Sequence, residues 1–431
     1  MTPVLECDVA ICGAGVAGLT LALMLGQQGR SVLLLEKQRQ FRMMHKGELI
    51  QPRSLEILAG AGALGALRAR GARPVTALAC RTAHGDELVS LDYRLLPGPF
   101  RHGMVQSYRE MLETLAAQLP PSVTLRHGTR ADQLVRDRAG RVSGVLAHGD
   151  GGTFEVRARL TVASDGHASR LRDAAGISVV PRRYGHQLVG FEIGDAPPLG
   201  TQMSAFLTDR GLRALFELGG QRARLYVQIP AEGFRAIGRA KLPEWADALV
   251  RSMPVLEPVA EPLRRHLGTV QVLSAWRFIT PRWALPGFTV IGDAAHCVHP
   301  MVGQGMNAAI GDAAELATAL AGETVLTAAR ADQAAARYEH ARRPRLAYVS
   351  RLSHNMAALL TSSSWPGRVI RPGLLRRNQQ NLRLRQRLTS NVAGLTAQPL
   401  TAHDWISASG LFNATLGRPE TGDPFTAEGP A

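Results

Sequence analysis

Gly13, Gly15 and Gly18 stand in the run Gly13-Ala14-Gly15-Val16-Ala17-Gly18, and Glu36 follows 23 residues after the first of them. That pattern suits the diphosphate and ribose of a dinucleotide. The first glycine permits a tight strand-to-helix turn, the second lets bare backbone approach a diphosphate, and the third lets the helix lie close to the strand. A carboxylate about 20 residues further on can meet a ribose hydroxyl. The phosphates would then rest at the positive end of a helix dipole. Two later runs are also equipped for ligand chemistry. Asp165-Gly166-His167-Ala168-Ser169-Arg170-Leu171-Arg172 follows an apolar run, and Gly292-Asp293-Ala294-Ala295-His296 leads into His299, Pro300, Met301, Val302, Gly303, Gly305, Met306 and Asn307. A strand ending in Gly-Asp puts a carboxylate at the carboxyl end of a sheet, where open α/β folds bind ligands, so Asp293 suits a sugar-type hydroxyl. The glycines after it let backbone approach a flat ring. A helix beginning near Gln304 would aim free amides at the same place and stabilise negative charge there.

The elements that must hold these residues follow from periodicity. Leu5 to Ile11 and Val32 to Leu35 are continuous apolar runs, as expected of buried parallel strands, with a helix from Val16 to about Gln28 between them. Leu160 to Ser164 and Phe288 to Ile291 read as two more strands, each running directly into one of the Asp-bearing motifs, and Gln304 through Leu320 reads as a helix. From Val179 to about Ile279 the glycine signatures stop. Short alternating runs such as Leu212 to Leu218, Arg222 to Ile229 and Val270 to Arg277 suit an antiparallel sheet with one buried face.

The three motifs, in this order and spacing, resemble the single-component flavoprotein aromatic hydroxylases typified by p-hydroxybenzoate hydroxylase, over most of Val4 to Arg343. The resemblance implies an α/β protein. A Rossmann-type FAD-binding domain would occupy residues 1–178, with a small β insertion near 75–105, and resume over 283–343. An antiparallel-sheet substrate domain would be inserted at 179–282, and 344–431 would form a basic helical C-terminal extension. It implies FAD as cofactor and NAD(P)H as electron donor. Dioxygen would add at the flavin C4a, and the hydroperoxide would pass oxygen to a hydrophobic, electron-rich aromatic substrate. Related proteins on this scaffold epoxidise alkenes or reduce isoprenoid double bonds, which is the alternative; a non-enzymatic nucleotide-binding protein is a further one.

Residue by residue, the resemblance assigns FAD contacts to Gly13, Gly15, Gly18, Glu36, Gly292, Asp293, Pro300, Gly303, Gly305, Met306 and Asn307. It gives Asp165, Gly166 and Arg172 a share in flavin binding and the nicotinamide encounter. It makes His299, Pro300, Met301 and Val302 active-site liners. Gln106 matches a flavin-contacting position where other relatives have arginine. Lys46 stands where an arginine usually approaches the FAD phosphates, a departure that weakens bidentate contact, and Arg53 is a candidate to share that role. Phe191, Phe206, Phe216, Tyr226 and Trp276 are as well suited to core packing as to pocket walls. No residue is assigned as a catalytic base.

The net charge of +15 invites a nucleic-acid reading, but Ala341 to His403 holds eleven arginines and no Asp or Glu, leaving +4 for the remainder. The basicity belongs to one segment, and no nucleic-acid partner is expected. Arg345 to Leu360 and Leu374 to Leu388 look helical. The second mixes leucines with Arg376, Arg377, Arg383, Arg385 and Arg387, so 374–388 could either dock on an anionic membrane or pack across the fold with its arginines in water. With 431 residues the chain can bury two joined cores. Glu6 and Asp8 precede the apolar stretch Ala10 to Gly26, unlike a secretory signal. Cys7, Cys12, Cys80 and Cys297 show neither metal-ligand spacing nor a disulfide framework, so a cytoplasmic protein without a metal is expected.

Overall fold

The computed structural model describes residues 3–322, 325–361, 365–399 and 401. Two eight-stranded sheets dominate. In the first, Val4–Cys12 lies centrally between Gly152–Ala163 and Val32–Leu35, parallel to both. Val123–Arg126 extends one edge in parallel, and Phe288–Val290 the other. All four residues of Val32–Leu35 are buried, as a parallel strand covered on both faces requires, and this is why its sequence shows no alternation. Val16–Gln27 and Gln304–Ala319 pack together over this sheet, with Gly292 fitted between Ala17 and Ala309.

The second sheet runs in the order His296–Cys297, Gln271–Ile279, Arg182–Ile193, Arg222–Pro230, Gly211–Gly219, Gln202–Thr208, Ala77–Thr82 and Glu87–Asp92. Its ladders are antiparallel except where Gln202–Thr208 meets Ala77–Thr82. The β segment expected near 75–105 therefore largely completes this sheet, because the buried side chains of Ala77, Ala79 and Leu88 need the cover that its neighbours supply. Phe191, Phe206 and Phe216 are core residues, with Phe191 stacked on Trp245. Trp276 is half-buried beneath the Arg183 guanidinium. The chain passes from the first sheet to the second between Phe288–Val290 and His296–Cys297, so Gly292-Asp293 occupies the crossing.

Pro344 does not end a helix. One helix runs Ala328–Thr361 straight through it, across the boundary expected at 343/344. Tertiary anchors on both sides offset the lost amide: Tyr338 and Leu346 are fully buried, and Arg342 is bound to Asp312. Two further helices, Trp365–Gln380 and Leu382–Val392, lie against Glu87–Asp92. Leu375 and Leu384 are buried there, and Arg385 donates to the carbonyls of Ser90 and Gln379. Two leucines of 374–388 are thus used in packing within the fold, while Leu374 and Leu388 are half-buried. Among the described residues of these helices, Val369, Ile370 and Leu382 are exposed apolar side chains. Among the described residues no helix is long and apolar enough to cross a membrane.

A buried charge cluster joins the two halves. Arg224, fully buried on Arg222–Pro230, donates to Glu48 at 2.7 Å and to Glu192 at 2.9 Å, and the Tyr226 hydroxyl donates to the other oxygen of Glu48 at 2.8 Å. The neighbouring carboxylates hold the guanidinium charged against the opposing effect of burial. Removing one member strands the others in a low dielectric. Arg224→Ala should cost about 3–5 kcal/mol, read as a lowered urea midpoint with an unchanged denaturant slope.

Candidate active site

The glycine loop is held by backbone contact. Gly13 has φ +111°, and a Cβ there would overlap the Ser164 carbonyl oxygen; one on Gly18 would overlap the carbonyl oxygen of Gly13. The Gly13 amide donates to Leu35, the Ser164 amide to Cys12, and the Ser164 hydroxyl to Gly13 at 2.7 Å. The ends of three parallel strands are thereby tied at one point. Around Gly15, by contrast, there is room: a Cβ would meet only the Tyr108 hydroxyl, at 3.4 Å. Helix Val16–Gln27 has neither a capping side chain nor an acidic residue in its first turn, which leaves its first amides to a ligand. Glu36 accepts from the amides of Ala14 and Gln38, fixing its carboxylate beside the loop.

Next to this loop, Asp165 accepts from the amides of Arg170 and Leu171, and burial raises its pKa. Gly166 takes φ +96° to make the turn. Arg172 is almost wholly buried and donates to the carbonyls of His167 and Ala294. It stitches the Asp165 loop to the Asp293 loop from beneath.

Asp293 is half-buried at the sheet crossing, with the Lys46 ammonium 3.8 Å away. Lys46 also lies over the Tyr108 ring, 5.3 Å from its centroid. Burial opposes its charge, but Asp293 and its other neighbours outweigh burial and raise its pKa. Beneath the loop, Asp312 is fully buried. It accepts from the Gly292 amide at 3.0 Å, from His296 Nε2 at 2.6 Å and from Arg342 Nε at 2.9 Å. His296 is therefore a support of the Gly-Asp turn.

The segment from His299 to Asn307 closes the site. His299 is fully buried, and its Nδ1 accepts from the Met301 amide; Pro300 is exposed, Met301 half-buried and Val302 buried. Gly303 turns in the left-handed region at φ +61°, and helix Gln304–Ala319 starts there without a side-chain cap. Gly305 leaves open space, its missing Cβ having Val298 as nearest neighbour at 3.9 Å. Asn307 binds the carbonyls of Leu49 and Gly303 and the amide of Gln51, while Met306 lies against Gly47. Gln106 donates to Arg70, and its buried Oε1 has no partner among the described residues. Arg53 is placed differently: it is exposed, pairs with Glu56 at 2.6 Å, donates its amide to the Ala393 carbonyl, and lays its side chain beside Gly394. Among the described residues no hydrogen bond or ion pair joins it to the glycine loop.

Tyr108 was not foreseen. Its ring packs on Gly47, and its hydroxyl is acted on by Lys46, Asp293, Glu36 and the backbone amide of Val16. Asp312 and His186 also escaped sequence reading, since a buried acid inside a helix and a histidine on a strand leave no spacing signal. These groups fit FAD. Uncapped amides and Lys46 suit a diphosphate, Glu36 and Asp293 suit sugar and ribitol hydroxyls, and the unpaired Gln106 oxygen and the open Gly305 suit a ring carrying donors and acceptors.

Comparison with known proteins agrees. The profile of the FAD binding domain family matches residues 6–353. The 6-methylpretetramide 4-monooxygenase of Streptomyces rimosus is 30% identical over 318 residues, covering 71% of this chain and 73% of its own. The protoasukamycin 4-monooxygenase of Streptomyces nodosus subsp. asukaensis is 30% identical over 385 residues, covering 82% and 88%. The crystal structure of Pseudomonas aeruginosa PqsL in complex with 2-aminobenzoylacetate superposes with a TM-score of 0.74 at 25% identity, over 85% of this chain and 99% of that one. The chain belongs to the FAD binding domain family and is a flavoprotein monooxygenase of the aromatic hydroxylase class.

Tyr108→Phe keeps the ring and removes the hydroxyl beside Val16. It should weaken FAD binding about threefold to tenfold, measured by quenching of flavin fluorescence on titration into apoprotein, while leaving riboflavin, which has no diphosphate, unaffected. The Asp312 carboxyl is held below its ordinary value of 3.8 because His296 and Arg342 outweigh the opposing effect of burial. A depressed carboxyl stabilises the fold fully above its unfolded value and loses that contribution as the pH falls through its folded value. Urea unfolding below about pH 4 should therefore show a steep acid loss in the wild type and a shallower one in Asp312→Asn.

Proposed function

We propose that this enzyme hydroxylates a hydrophobic, electron-rich aromatic compound at the seam between the two sheets, drawing electrons from NAD(P)H. One observation carries the reading. The glycine loop, the Lys46–Asp293 pair and the uncapped start of Gln304–Ala319 lie around the crossing where the chain leaves the cofactor-binding sheet for the second sheet. When bound there, FAD supplies the activation of dioxygen, and the protein's part is to bind, orient and exclude water.

That part can be stated by residue. Free amides at the start of Gln304–Ala319 favour negative charge on whatever ring they face. Gly303 and Gly305 let the backbone come close, and buried Val302 and half-buried Met301 keep that approach apolar. Arg172 acts through the two loops whose carbonyls it binds, so in our assignment it positions Asp165 and the Ala294 turn without touching the nicotinamide. The names of the two Streptomyces relatives support a tailoring step on a natural product. The buried ion cluster beneath the seam is internally paired through Glu48, Glu192 and Arg224, which favours an apolar ring over a small dianionic acid. Four free cysteines support work in the cytoplasm.

The purified protein should be yellow, should oxidise NAD(P)H faster when an accepted phenolic compound is present, and should place one atom of labelled dioxygen in the product. Oxidation of NAD(P)H with a saturated product and no label would show a reductase instead. Labelled epoxide from an alkene would show an epoxidase, and protein that neither holds FAD nor oxidises NAD(P)H would sink every enzymatic reading.

A further inference from the structure

Strand Arg182–Ile193 breaks its ladder to Gln271–Ile279 between Arg183 and Gln187, and three residues, Tyr184, Gly185 and His186, arch out where the partner strand supplies only Ala275. Such a bulge re-aims side chains. Tyr184 and His186, two apart on the strand, both meet the flavin-side segment at His299. The Tyr184 ring stands edge-on to His299 with centroids 4.5 Å apart, and its hydroxyl bonds to His354 Nδ1 at 3.0 Å; His186 Nε2 lies 2.8 Å from His299 Nε2.

The direction of this chain of bonds is set from its backbone end. A backbone N–H can only donate, so the Met301 amide at 3.1 Å requires a lone pair on His299 Nδ1. The proton of neutral His299 then resides on Nε2 and is given to His186 Nε2. His186, accepting at Nε2, must carry its own proton on Nδ1. Burial supports neutrality of both rings, lowering His186 and holding His299 down at about 3, with His186 and His354 adding to the latter effect. Among the described residues nothing accepts from His186 Nδ1, and the ring is half-buried. The sequence Met301 amide to His299 to His186 is a polarised line of donors, each strengthening the next, that starts in the flavin loop and ends in a free N–H on the second sheet.

We propose that His186 Nδ1–H is donated to a phenolate oxygen of the substrate, and so orients the aromatic ring against the His299–Val302 segment. This rests on the hydroxylase reading. It makes His186 a specificity-determining residue and favours phenols and hydroxyquinones over their O-methyl ethers, whose oxygen carries no charge and a bulky methyl.

Two arms separate the proposal from the reading beneath it. In the FAD-loaded protein with histidine labelled by nitrogen-15, long-range proton–nitrogen spectra at neutral pH should show His299 protonated at Nε2 and His186 at Nδ1, with assignment by His186→Gln and His299→Gln. His186 protonated at Nε2 would overturn the proposal whatever the substrate. In the second arm, a panel of naphthols, hydroxynaphthoquinones and their methyl ethers is screened by substrate-dependent NAD(P)H oxidation. For the phenol accepted best, His186→Phe should lower kcat/KM about 10- to 100-fold, as loss of a hydrogen bond to a charged oxygen does, and His186→Gln, which keeps an N–H, should recover much of it. Loss of less than threefold in His186→Phe, or a methyl ether used as well as its parent phenol, would overturn it. A panel with no accepted phenol would sink the hydroxylase reading and the substrate contact with it, while the spectra alone still decide the direction of the bonds.

Discussion

The structure depends on one contact of bare backbone, where Gly13 leaves its strand and meets the end of the strand that closes at Ser164. No side chain fits between them, and the Ser164 hydroxyl and amide bind back to Gly13 and Cys12. Three strand ends are therefore drawn into one small area. Because the Asp165 turn begins at the next residue, the glycine loop and that turn form a continuous surface. Gly18 then brings the helix down onto the same spot, so its unpaired amides arrive where a diphosphate can use them.

Around that point the protein spends charge in places where water cannot reach. Asp312 gathers the Gly292 amide, His296 and Arg342, which locks the Gly292-Asp293 turn to the helix that follows it and to the long helix Ala328–Thr361. Arg172 ties the same turn to the Asp165 loop. Glu48, Arg224 and Glu192 clasp the second sheet to the segment that carries Lys46. Buried ion pairs stabilise little in net terms, because desolvation offsets their attraction, yet each is costly to break singly. Their effect here is geometric, since they fix the Gly292-Asp293 turn and the Lys46 segment to the elements packed around them.

The second sheet meets this frame through a short edge strand, His296–Cys297, and through the bulge at Tyr184 to His186. Both lie at the seam, where the histidine pair joins the two halves alongside the Glu48–Arg224 cluster. The arginine-rich helices cover the far edge of the same sheet. Arg371, Arg385 and Arg387 cap the carbonyls of Leu360, Ser90 and Pro399, while Arg376, Arg377 and Arg383 stay exposed, so this basic segment packs without burying its charge unpaired.

Much of the cofactor side was legible from the sequence. Val32–Leu35, the helix from Val16 and the strands leading into Asp165 and Asp293 could be read because runs of apolar residues and glycine spacing are local signals, imposed by backbone geometry over a few residues. The same local rules nominated Glu36, Asp293, Gly303 and Gly305 as ligand contacts. Tertiary structure decided what depends on residues far apart in the chain. It let the helix pass through Pro344, assigned 77–92 to the second sheet, turned Arg53 toward the C-terminal helices, and buried Leu375 and Leu384. It also brought Tyr108 to Gly15, Asp312 under Gly292, and His186 to His299 across 113 residues of chain. A spacing rule fixes what a few consecutive residues can do with their own backbone. Which distant side chain fills the space beside them is set by packing and by the need of every buried polar atom for a partner.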